Sequence, residues 1–308
     1  MPLDADALID RRRLKRSRAL WRAATVLVVL AALAAVLGRE AVDGPLARSA
    51  VVRLTVRGTI TDDQQVIEAV DGAARDASVR ALILSVDSPG GTMAGGEGLH
   101  AALSRFRDGG KPVVATMGGT AASAGYMIAM PAERVFARDS TLTGSIGVLL
   151  QSFNVSDLLE RVGVQPLVIA SGPLKAQPSP FAPLTPEGRR VLEGVLADLQ
   201  NRFVAIVAAG RRMPEERVRE LADGRVFTGR QARAAGLVDE IGGEREARAY
   251  LLRAHNIPER PDARELDTTG GARLPRWALT MSKAVVSEGF ARLGLVDGVQ
   301  ALWQPAAR

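Results

Sequence analysis

The chain has 308 residues, of which 47% are hydrophobic, enough for the core of one large domain or two modest ones. It contains no cysteine, which excludes disulfides, thiolate metal sites and a cysteine nucleophile. Its two histidines, His100 and His255, are too few for a typical zinc site. We therefore expect no metal and no other cofactor. The net charge of +6 comes largely from a basic run at residues 11–18, and only 4% of residues are aromatic, so we expect no nucleic-acid partner.

The first predicted element is a transmembrane helix at residues 20–38, in which Arg22 is the only charged residue. About 19 helical residues at 1.5 Å each approach the roughly 30 Å of bilayer hydrocarbon. A cleaved signal peptide is the alternative, because small residues at the end of the stretch imitate a cleavage site. The positive-inside rule keeps residues 1–19 in the cytoplasm and sends the chain after about residue 40 across the membrane. These features predict a single-pass protein of the inner (cytoplasmic) membrane with its main domain on the extracytoplasmic, periplasmic side.

From residue 50 onward, apolar stretches of strand and helix periodicity alternate. The predicted strands are residues 51–60, 79–87, 111–117, 133–137 and 165–170, with a further extended run at 142–153. The predicted helices are residues 63–76, 95–108, 121–132, 155–163 and 185–213, and another that ends at Gly236. Strands separated by helices imply βαβ units, so the predicted fold class is α/β with a mainly parallel sheet and flanking helices.

Two glycine-rich turns follow predicted strands, at residues 87–92 and 117–123. In an open parallel sheet, ligands bind where loops leave the carboxyl ends of the strands. Gly90 and Gly91 lack a Cβ, so their backbone N–H groups can approach a ligand closely and hold an oxyanion. We therefore expect the functional site at these two turns.

Ser123 ends the second turn and begins a predicted helix, where unpaired N–H groups and the helix dipole favour negative charge. The N–H of Ala124 would face the same point as the first turn. A hydroxyl beside two anion-stabilising donors supplies the minimal parts of an acyl-transfer site. The alternative is that Ser123 is an ordinary helix N-cap and that the glycines form ordinary tight turns.

A serine hydroxyl is a poor nucleophile unless a base takes its proton. His100 lies within a predicted helix and His255 near the end of another, so neither occupies a loop beside a strand end. A lysine acts as a base only when burial or neighbouring charge lowers its pKa from about 10.4 toward 7 or 8. Lys175, one of four lysines, lies in a Gly/Pro-rich segment without acidic residues, so it is either that base or a solvated loop residue. Ser145 is either a hydroxyl that orients the amine or an ordinary turn serine.

Five blocks of sequence together resemble the signal peptide peptidase A family, which consists of membrane-anchored serine peptidases with a ClpP/crotonase-like fold. The blocks are DSPGGT (87–92), MGGTAASAGYMIAM (117–130), STLTGSIGV (140–148), SGPLKAQPSPF (171–181) and LADGRVFTGRQARAAGLVDEIGG (221–243). The resemblance runs in order from about residue 50 to 254, so it implies a ClpP/crotonase-like peptidase domain at residues 45–255.

The resemblance also implies the roles of individual residues. Ser123 falls on the nucleophile of the family, Lys175 on its general base, and Ser145 on the serine that hydrogen-bonds the lysine. These positions imply a Ser/Lys catalytic dyad.

Two backbone N–H groups would form the oxyanion hole. The Pro-Gly-Gly turn supplies one of them, from Gly90 or Gly91, and we favour Gly91. Ala124 supplies the other, although the family usually has glycine at this position. We expect a methyl group beside the nucleophile to narrow the pocket or to alter its substrate preference.

The resemblance implies a membrane-anchored serine endopeptidase that degrades remnant signal peptides and other apolar peptides at the membrane. It further implies a homo-oligomeric ring, a tetramer or an octamer, in which neighbouring subunits supply the serine and the lysine of one site. Two other functions remain open: a catalytically silent, peptide-binding scaffold of the same fold, and an acyl-CoA enzyme, against which a membrane anchor argues.

After about residue 256 the family pattern fades. Residues 256–308 contain short amphipathic pieces with Trp277 and Trp303, and we expect a C-terminal extension that is mobile or membrane-associated. This extension would follow the cytoplasmic N-terminus, the anchor and the peptidase domain in the chain.

Overall fold

Eight strands and eight helices make up the part of the chain that the computed structural model describes, residues 51–259 and 262–268. The strands are β1 Val51–Ile60, β2 Ala81–Gly91, β3 Val113–Ala122, β4 Arg134–Ala137, β5 Leu142–Gly144, β6 Val226–Thr228, β7 Glu240–Ile241 and β8 Arg264–Glu265. The helices are α1 Gln64–Arg75, α2 Met93–Asp108, α3 Ala124–Met127, α4 Ser156–Arg161, α5 Pro186–Arg211, α6 Glu215–Leu221, α7 Gly229–Ala234 and α8 Glu244–His255.

A mostly parallel sheet organises these elements. Its strand order is β6-β5-β3-β2-β1-β8, and β4 pairs with both β3 and β7 beside this path. The pairs are parallel except for β5 with β6, which run antiparallel. The predicted α/β class with a mainly parallel sheet is therefore confirmed. Because β2, β3 and β5 run in one direction, their carboxyl ends lie at the same end of the sheet.

Strand β2 is buried on both faces of the sheet. Leu82 and Leu84 belong to the larger core cluster, which includes residues of α1, α2 and α5. Ala81 and Ile83 belong to a second cluster, which includes residues of α8. Alternate side chains of a strand point to opposite faces, so the apolar run in β2 reflects helices packed on each side of the sheet. The ends of β2 and its neighbours therefore rest on a packed platform.

The start of one predicted helix and the end of another are confirmed in detail. Thr185 precedes α5, and its hydroxyl accepts a hydrogen bond from the Gly188 amide at 3.0 Å, while Pro186 fills the first helical position. Proline fits there because the first amides of a helix have no intrahelical partner. Gly236 follows α7 with a φ of +79°, a left-handed conformation that glycine adopts without a Cβ clash.

Three other predictions are wrong in whole or in part, and the first of them is the extended run at residues 142–153, which is a strand only at Leu142–Gly144. Residues 165–170 form no strand, and Leu167 and Ile169 are 85% and 90% exposed. A strand needs a neighbour to pair its backbone groups, and this segment has none within the described chain. The helix predicted at residues 121–132 shrinks to the four residues of α3, because β3 continues to Ala122 and Ser123 adopts a positive φ.

Residues 145–184, which we call the arm, connect β5 to α5. The helix α4 is the one regular element of the arm, and the Val155 amide donates to the Pro180 carbonyl at 2.7 Å to join its two halves. Exposed apolar side chains occur along most of its length; they include Leu149, Leu150, Phe153, Leu158, Val162, Val164, Leu167, Val168, Ile169 and Phe181. The arm therefore leaves unburied the kind of side chain that the rest of the described chain places in its core.

The described residues up to Leu266 group into one unit, in which β8 pairs with β1. This unit thus includes a strand beyond residue 255, where the family resemblance ends. The predicted span at residues 20–38 and residues 269–308 of the predicted extension lie outside the described residues. Among the helices that are described, none combines the length and apolarity needed to cross a bilayer.

Candidate active site

Ser123 occupies a sharp turn between β3 and α3. Its φ of 55° and ψ of −123° are unusual for a residue with a side chain and cost on the order of 1–3 kcal/mol. Hydrogen bonds hold this backbone: the Ser123 amide donates to the Gly144 carbonyl at 2.9 Å, and the Ser123 carbonyl accepts from the Tyr126 and Met127 amides at 2.9 and 3.0 Å. A tight strand-to-helix turn of this kind presents a side chain at the end of a sheet.

The hydroxyl of Ser123 makes no capping hydrogen bond to α3 within the described structure. Thr92, by contrast, caps α2 by accepting from the Gly95 amide at 3.1 Å. The alternative that Ser123 is an ordinary N-cap therefore lacks its defining contact. Because α3 has only one turn, its dipole adds less to anion binding than the longer predicted helix would.

Ser123 faces a cavity of about 960 Å³. Ala124, Ser145 and Gly91 line the same cavity, so four of the six predicted site residues meet there. Much of the remaining wall is apolar and consists of side chains from α2, α3 and α5, namely Met93, Met127, Leu196, Leu199 and Phe203. A mostly apolar cavity of this size, with few polar groups beside a hydroxyl, suits an apolar ligand held at a reactive point.

Gly90 and Gly91 lie at the end of β2 beside Ser123, and the structure distinguishes them. Gly90 has a φ of +118°, and a Cβ on it would lie 2.8 Å from the Ser123 Cβ and 3.3 Å from the Ala124 amide nitrogen. Its own amide donates to the Ser88 hydroxyl at 3.1 Å, so that N–H already has a protein partner. Gly91 lines the cavity, and a Cβ on it would overlap the Ile60 carbonyl. Gly91 is therefore the better placed of the two to present backbone to a ligand.

Ala124 is buried, and α2 leaves room for its methyl group. A Cβ built on Gly96 would lie 3.2 Å from the Ala124 Cβ and 3.0 Å from the Met127 sulfur. The methyl of Ala124 is thus accommodated by a glycine in the neighbouring helix. This packing offers a physical reason why alanine is tolerated where the resembling family usually has glycine.

Ser145 occupies a position equivalent to that of Ser123 on the neighbouring strand. In the parallel pair of β3 and β5, Ala122 lies opposite Gly144, and each is followed by one of the two serines. Ser145 also has a positive φ, of 48°, and its amide donates to the Arg225 carbonyl at 2.9 Å. Two strained serines therefore end adjacent strands and face one cavity.

The structure does not bring Lys175 to this cavity. It lies exposed in the arm, its amide donates to the Gly172 carbonyl at 3.2 Å, and it is absent from the described residues that line the cavity. Lys111, by contrast, is structural, because its Nζ donates to the carbonyls of Ala73, Ala74 and Asp76 at the end of α1. The predicted serine and lysine thus do not meet within a single described chain.

Neither histidine reaches the cavity among its described lining residues. Burial, and secondarily the nearby Arg202, lower the pKa of His100 to about 4. His255 lies 2.5 Å from a Glu133 oxygen at the amino end of β4, the end of the sheet opposite to Ser123. The described residues contain no cluster of three or more His, Asp or Glu side chains that could bind a metal ion.

Sequence reasoning missed the wall that α5 and the loop before β6 contribute. Gln200 Nε2 donates to the Ala222 carbonyl at 2.9 Å and so fastens this loop to α5. Hydrogen bonds from Arg225 lower the pKa of Asp223, which also lines the cavity, to about 2. The amphipathic pattern of α5 indicates a buried face, but no local signal says that this face meets the strand ends.

Comparisons with known proteins identify a family and several relatives of this chain. The chain matches Peptidase family S49 over residues 105–257. It is 40% identical over 223 residues to a putative protease of Synechocystis sp., a match that covers 72% of this chain and 79% of that protein. It is 32% identical over 270 residues to a putative signal peptide peptidase SppA of Enterococcus faecium, covering 80% and 78%. It is also 40% identical over 170 residues to Protease 4 of Salmonella typhi, covering 55% of this chain and 27% of that protein.

Two of these relatives match over most of their own length, and the S49 match includes Ser123, Ser145 and Lys175. The shared region therefore contains the serine that the fold presents at the cavity. The chain belongs to peptidase family S49, the signal peptide peptidase A family, and is a serine-type peptidase.

Proposed function

We propose that the protein is a serine endopeptidase with a Ser/Lys dyad that cleaves remnant signal peptides and other apolar peptides at the membrane. The observation that carries this proposal is the convergence of Ser123, Ser145, Gly91 and Ala124 on one mostly apolar cavity. An extended apolar peptide would bury its side chains there with its backbone beside the Ser123 hydroxyl. The predicted anchor at residues 20–38 would hold this site next to the bilayer, on the extracytoplasmic side of the inner membrane.

In the proposed reaction, the neutral amine of Lys175 takes the proton of the Ser123 hydroxyl as Oγ attacks the substrate carbonyl carbon. The Gly91 and Ala124 amides donate to the resulting oxyanion, and such donors are worth on the order of 3 kcal/mol each. The lysine then gives its proton to the leaving amine, and the peptide bond breaks to leave an acyl-enzyme. A water, deprotonated by the same amine, hydrolyses the ester and restores Ser123.

The exposed position of Lys175 supports a site that is completed by a second copy of the chain. A lysine amine accepts a proton only in its neutral form, and removal from water favours that form, so the proposed base has to be desolvated. We infer that a neighbouring subunit provides both the desolvation and the serine. The exposed apolar side chains of the arm support this inference, because large exposed apolar patches mark interaction surfaces. Val148 and Leu149 of the arm also line the cavity, so such an interface would reach the site.

Complementation between two inactive variants tests the proposal. Ser123→Ala and Lys175→Ala are each expected to lose activity on an apolar peptide. When the two variants are co-assembled, activity is expected to return in part, because some sites would combine Ser123 from one copy with Lys175 from another. A dyad within one chain would give no recovery, and full activity of either variant alone would reject the mechanism.

A catalytically silent, peptide-binding scaffold is the other candidate function, and the absence of Lys175 from the described cavity wall favours it. A fluorophosphonate probe separates the two functions. The peptidase is expected to be labelled at Ser123 in the assembled protein and to lose labelling in Ser123→Ala. A scaffold would bind the apolar peptide without labelling or hydrolysis.

A further inference from the structure

Strand β2 loses its regular pairing just before the glycine turn. Arg57 of β1 lies opposite Asp87, but Thr59 lies opposite Gly90, so one residue of β1 faces two residues of β2. On the other side of β2, the register with β3 also shifts, between Val86 and Ser88. Such bulges interrupt the ladder of backbone hydrogen bonds, and the groups that lose a strand partner need another one.

The Ser88 side chain fills the gap between β1 and β2. Its hydroxyl donates to the Gly58 carbonyl at 2.6 Å and accepts from the Gly90 amide at 3.1 Å, and it lies 3.3 Å from the Gly90 carbonyl. The residue is fully buried. One hydroxyl therefore joins the end of β1 to the glycines at the end of β2.

Ser88 also contacts the helix that follows Ser123. A Cβ built on Gly125 would lie 2.9 Å from the Ser88 carbonyl oxygen and 3.4 Å from the Ser88 Cβ, so the two backbones are in close contact. Ser88 additionally pairs with Ala121 at the end of β3. The same residue thus touches the turn that carries Gly91 and the segment that carries Ala124.

We propose that Ser88 is a positioning residue for the oxyanion hole: its hydroxyl binds the Gly90 amide and so fixes the orientation of the turn that presents Gly91 beside Ala124. This inference rests on the proposed function, in which those two amides stabilise the oxyanion. Without the hydroxyl, the buried Gly90 amide loses its acceptor, and the two glycines, which have no Cβ to restrict their backbone angles, are held less firmly at the end of β2.

The expected signature is a loss of transition-state stabilisation with little change in substrate binding. Removing one oxyanion donor lowers kcat about 100- to 1000-fold in well-studied proteases, so loosening a donor is expected to lower kcat about 10- to 100-fold. KM is expected to stay within about twofold, because the oxyanion exists in the transition state and not in the bound substrate. Affinity for a peptide boronate, which forms a tetrahedral anion on Ser123, is expected to fall in parallel with kcat.

The test uses Ser88→Ala and the nearly isosteric Ser88→Cys in the full-length oligomer. Thr116→Val is the matched control, because Thr116 is also buried and its hydroxyl lies 3.4 Å from the Leu84 carbonyl, away from the turn. For each variant, kcat, KM, boronate affinity and the melting temperature are measured. The inference is supported when both Ser88 variants lose kcat and boronate affinity beyond Thr116→Val at a similar melting temperature.

Two results would overturn it: a kcat loss no larger than that of the control, or a loss that resides in KM. Failure of both Ser88 variants to fold would also overturn it, since Ser88 would then be a structural residue. The proposed function is tested separately, because it fails when the wild-type protein shows no hydrolysis that depends on Ser123. An active, Ser123-dependent enzyme with fully active Ser88 variants would reject only the inference about Ser88.

Discussion

Packing between α2 and α3 predicts that Gly96 and Ala124 are energetically coupled. In Gly96→Ala, the added methyl would lie 3.2 Å from the Ala124 Cβ and 3.0 Å from the Met127 sulfur, closer than ordinary contacts. Overpacking of this kind costs about 1–3 kcal/mol, and replacing a helical glycine by alanine returns up to about 1 kcal/mol. We therefore expect a net destabilisation of about 1–2 kcal/mol.

The complementary change, Ala124→Gly, removes a buried methyl and adds chain entropy, and is expected to cost about 1–2 kcal/mol. In the double variant, the methyl on residue 96 occupies the space that the methyl on residue 124 vacated. The two changes together are therefore expected to cost about 1 kcal/mol less than the sum of the single changes, within the range for residues in contact. Denaturant unfolding of the four proteins measures this coupling.

Gly98→Ala provides the control for this cycle. Gly98 lies in the same helix, but a Cβ on it would meet the Ile67 side chain at 3.1 Å and not residue 124. It is expected to show no coupling with Ala124→Gly. If Gly96→Ala were also additive with Ala124→Gly, the explanation of how this chain tolerates alanine after Ser123 would be refuted.

Three further predictions concern the support of the site. Tyr126→Phe removes a buried hydrogen bond of 2.8 Å that the tyrosine hydroxyl donates to the Leu237 carbonyl. The variant is expected to be less stable by about 1–2 kcal/mol in denaturant unfolding, and an unchanged midpoint would contradict this. Asp239→Ala leaves the largely buried Arg211 without its bidentate carboxylate partner and is expected to lower the free energy of unfolding by about 3–5 kcal/mol. A loss below about 1 kcal/mol would contradict this prediction. Burial lowers the pKa of His100 to about 4, so the folded state binds fewer protons than the unfolded state between about pH 6.5 and 4. The free energy of unfolding is therefore expected to fall as the pH drops through this range. His100→Gln is expected to flatten this pH dependence, and an equal slope in the variant would contradict the prediction.

Local patterns predicted the platform of the site well. The apolar run of β2 and the glycine turn after it could be placed at one end of a parallel sheet, because sheet topology fixes where strand ends lie. The pairing of Ser123 with Ser145 was not predictable in the same way. It depends on β5 lying beside β3 with β4 off the main path, and strand order is set by long-range packing.

The cavity wall that α5 forms was also not predictable from the sequence. Leu199 and Phe203 belong to a helix whose start was predicted correctly, yet nothing in the sequence around them indicates which surface they cover. An amphipathic pattern reports that one face is buried and does not identify its partner. The hydrogen bond from Gln200 to the Ala222 carbonyl, which holds the loop before β6 against α5, joins residues far apart in sequence and forms only in the folded chain.

The incorrect strand at residues 165–170 bears on the mechanism. Its composition is typical of a buried strand, but the described chain offers it no pairing partner, and Leu167 and Ile169 remain almost fully exposed. Large exposed apolar surfaces usually bind a partner. A segment with the composition of a buried strand that lies exposed is therefore better explained by an absent binding partner than by a loop with no binding role. Lys175 follows in the same arm, five residues after this stretch. In the proposed function, a contact that buries the apolar arm would also desolvate the Lys175 amine, so assembly and activation of the proposed base would be one event.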